Sequence, residues 1–118
     1  MDFDELTEKL QQFADERDWD QFHSPKNLAM ALNVEAAELL EHFQWLTEAE
    51  SKAVPPDVLE EVAEEIADIQ IYLTRLADKL NVDIEEAVKK KLESNARKYP
   101  AELARGSAAK YTRYEEKK

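Results

Sequence analysis

Apolar residues recur along this chain at three- and four-residue intervals, the spacing of one face of an α-helix. Leu6, Leu10 and Phe13 mark a first helix from about Asp4 to Asp18, and Trp19 to His23 forms an aromatic-rich link. Ser24-Pro25 opens a second, because serine caps a helix and proline suits its first turn. Its stripe of Leu28, Leu32, Leu39 and Phe43 carries it to about Leu46, and a connection from Thr47 to Pro56 follows. The third helix, about Asp57 to Leu80, has a nearly unbroken stripe of Leu59, Val62, Ile66, Ile69, Leu73, Leu76 and Leu80. Ile71 lies away from that stripe, where an apolar side chain suits contact with a second subunit. Asp83-x-x-Glu86 resembles a capping box and opens a fourth helix that should stop before Pro100.

Stripes on every helix and mostly short connections predict an all-α fold, a four-helix bundle. The apolar surface of four such helices favours assembly into an oligomer. Composition narrows the picture further. The 118 residues hold one glycine and four prolines, which suits long helices and a single domain over 1–118, with about 101–118 as a tail. A net charge of −11 disfavours nucleic acid and anionic membranes as partners. With no cysteine there is no disulfide framework, zinc–thiolate site or thiol nucleophile. The acidic start Met1-Asp2-Phe3-Asp4-Glu5 lacks the order of a signal peptide, and no apolar run nears the roughly 20 residues of a membrane span. A cytoplasmic protein is the expectation.

Two acid pairs interrupt the stripes: Glu35-x-x-Glu38 on the second helix and Glu65-x-x-Asp68 on the third. At this spacing both members of a pair share a helix face. Among 27 acidic residues, such a pair is ordinarily a solvated face. Glu35, however, stands where Leu28, Leu32 and Leu39 call for another apolar residue, and Glu65 borders the stripe of the third helix. Carboxylates at a core edge are costly unless paired or metal-bound. The pattern therefore leaves two readings open, a solvated face or a site for a hard cation such as Mg²⁺ or Mn²⁺. Magnesium so held takes substrate phosphates in its open positions, which points to phosphate chemistry.

The remaining candidates divide in the same way. His42 follows Glu38 by one turn and reads as a helix-surface residue. His23, beside Trp19 and Phe22, is either an exposed loop histidine or a contact for a base or phosphate. Phe13, Phe22 and Phe43 read as core. Trp19, Trp45 and Tyr72 read as core, with Trp19 and Trp45 alternatively as rings that stack on a nucleobase. Lys91, Asn95, Arg97, Lys98, Arg105, Lys110 and Arg113 concentrate basic and amide groups late in the chain. They are either surface residues or partners of phosphate. A single glycine cannot build a Gly-rich phosphate loop.

The segments Glu16-Arg-Asp-Trp-Asp-Gln-Phe-His23, Pro25-Lys-Asn-Leu28 and Phe43-Gln-Trp45 accompany the first acid pair in order. Glu64-Glu-x-x-Asp-x-x-Ile-Tyr-Leu73, Asn95-x-Arg-x-Tyr-Pro100 and Arg105-Gly-Ser-Ala-x-Lys-Tyr-Thr112 follow. Together they resemble the MazG-like, all-α nucleoside triphosphate pyrophosphohydrolases, most closely their dCTP pyrophosphatase branch. The match spans nearly the whole chain. The acid pairs alone mark only the superfamily, and the Arg-Asp-Trp and Arg-Gly-Ser-Ala segments are more specific.

This resemblance implies Mg²⁺ held by Glu35, Glu38, Glu65 and Asp68, with Mn²⁺ a possible substitute. It implies a base pocket of Trp19, Phe22, His23, Trp45 and Tyr72, with Asn95 reading base or sugar. Lys91, Tyr99 and Lys110 match positions suited to phosphate, and family members form dimers or tetramers. The expected reaction is hydrolysis of a deoxynucleoside triphosphate, dCTP first, to monophosphate and pyrophosphate in nucleotide-pool sanitation, with Glu38 as the base that activates water. Animal members carry a histidine where Leu10 stands, which leaves base preference open. The rival expectations are the same chemistry on dUTP or another nucleotide, and a non-catalytic helical module that binds metal or nucleotide.

Overall fold

Side-chain caps mark the starts of four of the α-helices among the described residues, and prolines precede the other two. The computed structural model describes residues 1–109 and 112, and it is all-helical among them. Asp2 caps α1 (Phe3–Glu16) by accepting a hydrogen bond from the Glu5 amide. The helix ends in a left-handed residue, Asp18, with φ of 54°. There the Trp19 amide donates to the Ala14 carbonyl and the Asp18 amide to that of Asp15, the paired closure of a Schellman motif. Aspartate tolerates this conformation because its short side chain bonds locally. The reversal brings the Trp19 ring against Phe13, edge to face at 5.8 Å, and leads into a 3₁₀ turn at Asp20–Phe22.

Ser24 and a first-turn proline open α2 (Pro25–Glu41), as expected, with the Ser24 hydroxyl accepting from the Asn27 amide. This helix ends about five residues earlier than its apolar stripe implied. The connection that follows holds a further short helix, α3 (Glu48–Ser51), started by a full capping box between Thr47 and Glu50. Next comes α4 (Pro56–Lys79), closed by a second Schellman motif at Asn81.

The chain divides into two compact units, Met1–Val82 and Asp83–Lys118. Within the first, α4 is the spine, and it packs extensively along α2 and less so along α1. The second unit holds α5 (Ile84–Lys98), where the Asp83 carboxylate accepts from the Glu86 amide, and the single-turn α6 (Ala101–Ala104). The four long helices lie where the apolar pattern expected them, and α3 and α6 are additions to it.

The core is thin for so strong a pattern. Its buried apolar members among the described residues are Ala14, Leu28, Val62 and Ala77. Burying a side chain the size of Leu28 contributes about 1.5–3 kcal/mol. Phe13 and Phe22, expected in the core, are 47% and 60% exposed. On α4, Leu59 and Ile66 are each 55% exposed although they belong to the stripe. The physical reason is area: two neighbouring helices cover only part of an apolar face that winds over 24 residues.

Candidate functional site

Polar side chains gather in the first unit at two places, and both lie along α4. The first is an acid cluster. Glu35 and Glu38 rise from successive turns of α2, and Glu65 meets them from α4 across the most extensive helix contact of the fold. One carboxylate oxygen from each lies within 4.8 Å of the others. Glu65 Oε2 is buried and has no hydrogen-bond partner among the described residues. Such an orphaned oxygen is costly unless a cation or proton compensates it. Burial, followed by a hydrogen bond with the Glu38 carboxyl and then the charges of Glu38, Asp68 and Glu65, holds the Glu35 carboxyl above its ordinary pKa. Burial and Glu38 do the same to Glu65, with His42 opposing.

Three hard oxygen donors, one of them unsatisfied, fit a divalent cation of the Mg²⁺ or Mn²⁺ type. Oxygens bound to one Mg²⁺ at about 2.1 Å are at most roughly 4.2 Å apart, so small side-chain adjustments would close the triangle. Asp68 stands outside this triangle, though its charge reaches Glu35. It instead lines the second place, which joins the two.

That second place is a cavity of about 240 Å³ between α1, the link that follows it and α4. Leu10, Phe13 and Ala14 form its α1 wall, and Trp19 and His23 enter from the link. Asp68, Ile71, Tyr72 and Arg75 line the α4 side. Ile71, expected to face a second subunit, borders this space and is 36% exposed. Of the expected base-binding residues, Trp19, His23 and Tyr72 come together here. Trp45 follows the end of α2, 87% exposed and outside the cavity lining, and Phe22 is likewise outside it. Lys91, Asn95 and Tyr99 belong to the second unit, and Lys110 lies outside the described residues.

One group at the cavity went unrecognised in the sequence. Arg75 is 2% exposed, and its guanidinium donates to Gln11 Oε1 at 2.7 Å, Asp20 Oδ1 at 3.0 Å and His23 Nδ1 at 3.1–3.3 Å. Asp78, one turn along α4, lies 3.7 Å from it. Lys79 also donates to Asp20, and that bond, with those from Gln11 and Arg75, holds the Asp20 carboxyl well below the usual range. Burial, reinforced by the Arg75 charge, lowers the pKa of His23 and so favours the neutral ring. Asp68, Tyr72, Arg75 and Lys79 do recur at helical intervals, but α4 carries many other charged residues, so the row does not single out Arg75. His42, expected at the surface, is half-buried with Nδ1 3.9 Å from Glu61.

Comparison with known proteins gives the family. The sequence model of the MazG-like family matches residues 30–113, a span that includes both acid pairs. The dCTP pyrophosphatase 1 proteins of Mus musculus and Homo sapiens are each 48% identical to it over 103 residues. The match covers 86% of this chain and 61% of each relative, so the chain spans about three fifths of the length of these curated relatives. The crystal structure of a pyrophosphatase from Archaeoglobus fulgidus superposes with a TM-score of 0.78 at 48% identity, covering 82% of this chain and 91% of that one. Among the described residues, no helix is long and apolar enough to cross a membrane. The chain belongs to the MazG-like family.

Proposed function

We propose that the protein is a Mg²⁺-dependent nucleoside triphosphate pyrophosphohydrolase that converts dCTP and water to dCMP and pyrophosphate, clearing surplus or modified dCTP in the cytoplasm. The observation that carries this reading is the convergence of Glu35, Glu38 and Glu65 around a buried, unpartnered oxygen, beside a cavity lined by aromatic rings. The names of the relatives, dCTP pyrophosphatase 1 and pyrophosphatase, support it independently.

Glu35, Glu38 and Glu65 would hold the cation, with Asp68 completing the set from the cavity side. Mg²⁺ bound there supplies positive charge that offsets the charge of the phosphates and of the transition state. Glu38 accepts the proton of the attacking water, whose oxygen adds in line to a phosphorus as the bond between monophosphate and pyrophosphate breaks. Trp19 and Tyr72 flank the base and His23 contacts its edge, in the cavity that these three residues line. Phe22 and Trp45 are assigned to the base pocket by the resemblance, with Asn95 on base or sugar and Lys91, Tyr99 and Lys110 on phosphate.

We further assign the exposed apolar residues of α4 to an interface between copies of this chain, in a dimer or tetramer of four-helix bundles. Neither nucleic acid nor membrane enters this scheme, in keeping with the charge of −11.

The test is a panel of deoxynucleoside triphosphates with Mg²⁺, scored for pyrophosphate against orthophosphate. Pyrophosphate released fastest from dCTP is the expected result. Release of orthophosphate alone, or no turnover of any nucleotide, contradicts the reading. Faster turnover of dUTP or a purine would move the base preference, and Leu10 in the cavity wall is the residue to examine in that event.

A further inference from the structure

We propose that Arg75 is a positioning residue for substrate selection: its guanidinium fixes the proton of His23 on Nε2 and turns that N–H into a preset donor for the base. The inference rests on the nucleotide reading of the cavity given above. It starts from an asymmetry of chemistry. Arginine carries five N–H donors and no acceptor, and it stays protonated in proteins. A ring nitrogen facing it must therefore present a lone pair. Both Nε and Nη2 of Arg75 lie within hydrogen-bond distance of His23 Nδ1, at 3.3 and 3.1 Å. With Nδ1 an acceptor, a neutral ring has its single proton on Nε2. No protein partner of Nε2 is found among the described residues, and the ring lines the cavity.

The guanidinium is itself held from three sides. Gln11 Oε1 of α1 and Asp20 Oδ1 of the 3₁₀ turn accept from it, and Asp78 lies one helical turn away. Its side chain is only 3% exposed, so water does not compete for these bonds. A fork clamped at several points cannot rotate to release Nδ1, and the orientation of the ring follows. A cavity that offers a fixed N–H donor favours bases that turn a carbonyl or unprotonated ring nitrogen toward it, and disfavours those that turn an N–H there. Cytosine has both kinds of acceptor on adjacent atoms.

The test combines spectroscopy of the full chain with a double-mutant cycle. In ¹⁵N-histidine-labelled wild-type protein, correlation spectra of the ring nitrogens should show His23 wholly as the Nε2–H form, with Nδ1 as a hydrogen-bonded acceptor. His42→Gln separates the two histidine signals. In Arg75→Met, the Nδ1 resonance should move toward the averaged position of a free imidazole. With dCTP as the probe, KM should rise about tenfold while kcat changes less than about twofold, the loss of one oriented hydrogen bond. His23→Ala should cost a similar factor, and the double variant little more than either.

A wild-type spectrum with the proton on Nδ1, or multiplicative effects in the cycle, overturns the proposal. The wild-type spectrum decides the proton position even if Arg75→Met fails to fold. Absence of pyrophosphate release by wild-type protein would refute the substrate reading instead, and would leave the ring spectrum as the test of the Arg75–His23 relation.

Discussion

Arg75 Nε lies 3.3 Å from His23 Nδ1, joining residues 52 positions apart and tying the C-terminal part of α4 to the link between α1 and α2. The same guanidinium reaches Asp20, so the link is anchored at two of its five residues. The cavity therefore has a wall set by a buried charge as well as by apolar packing. A buried cation of this kind is worth little as a stabiliser by itself, but removing its partners is costly.

Asp20→Asn should lower stability at neutral pH, because the charged carboxylate accepts from Lys79, Gln11 and Arg75. The folded pKa is depressed, so the unfolded chain binds the proton more readily. The stabilisation is present above the ordinary carboxylate range and is lost as pH falls through and below it. Urea unfolding at pH 7 and pH 3 measures this: the gap between wild type and variant should narrow at the lower pH. A gap unchanged with pH would mean that charge is not what Asp20 contributes.

Leu28→Ala should cost about 3 kcal/mol, within the range for truncating a fully buried leucine. Leu28 is 1% exposed and, with Thr74, is the largest side chain buried almost completely among the described residues. Leu59→Ala, at a position more than half exposed, should cost far less in the monomer. Equilibrium denaturation of both variants separates the real core from the apolar stripe.

How much of this was readable beforehand differs by element. The all-α class and the four long helices follow from spacing alone, and Ser24 and Asp83 cap where their residue types said they would. The capping box at Thr47 was overlooked because the segment around it has no apolar stripe. Phe13 and Phe22 were misassigned to the core because periodicity reports which face is apolar and not what covers it. The acid pairs were legible from charges interrupting a stripe. Arg75 was not, because its partners are 55 and 64 positions away, and no local pattern records a pairing of that range.

The exposed apolar face of α4 leads to a prediction about assembly. Sedimentation should find wild-type protein larger than a monomer, and Leu59→Glu with Ile66→Glu should release monomers that keep their helical content. A wild-type monomer at all concentrations would contradict the assignment of this face to a second copy.

Glu35→Gln should stabilise the protein when divalent ions are chelated and abolish stabilisation by Mg²⁺. The folded state holds the Glu35 carboxyl above its ordinary pKa, chiefly through burial and then through neighbouring acids. The folded chain therefore binds the proton more readily than the unfolded one. Metal-free wild type should lose stability as pH rises from the ordinary carboxylate range through the raised value. Thermal unfolding with EDTA and with Mg²⁺ measures both effects, because a ligand specific to the folded state raises the midpoint.

The most direct test of the acid cluster is a Mg²⁺ titration of pyrophosphate release from dCTP, run on wild type and on Glu65→Gln. The account predicts saturable activation of wild type, no release in EDTA, and loss of activation in the variant. Equal pyrophosphate release with and without the ion, or an unaltered titration in Glu65→Gln, would contradict it.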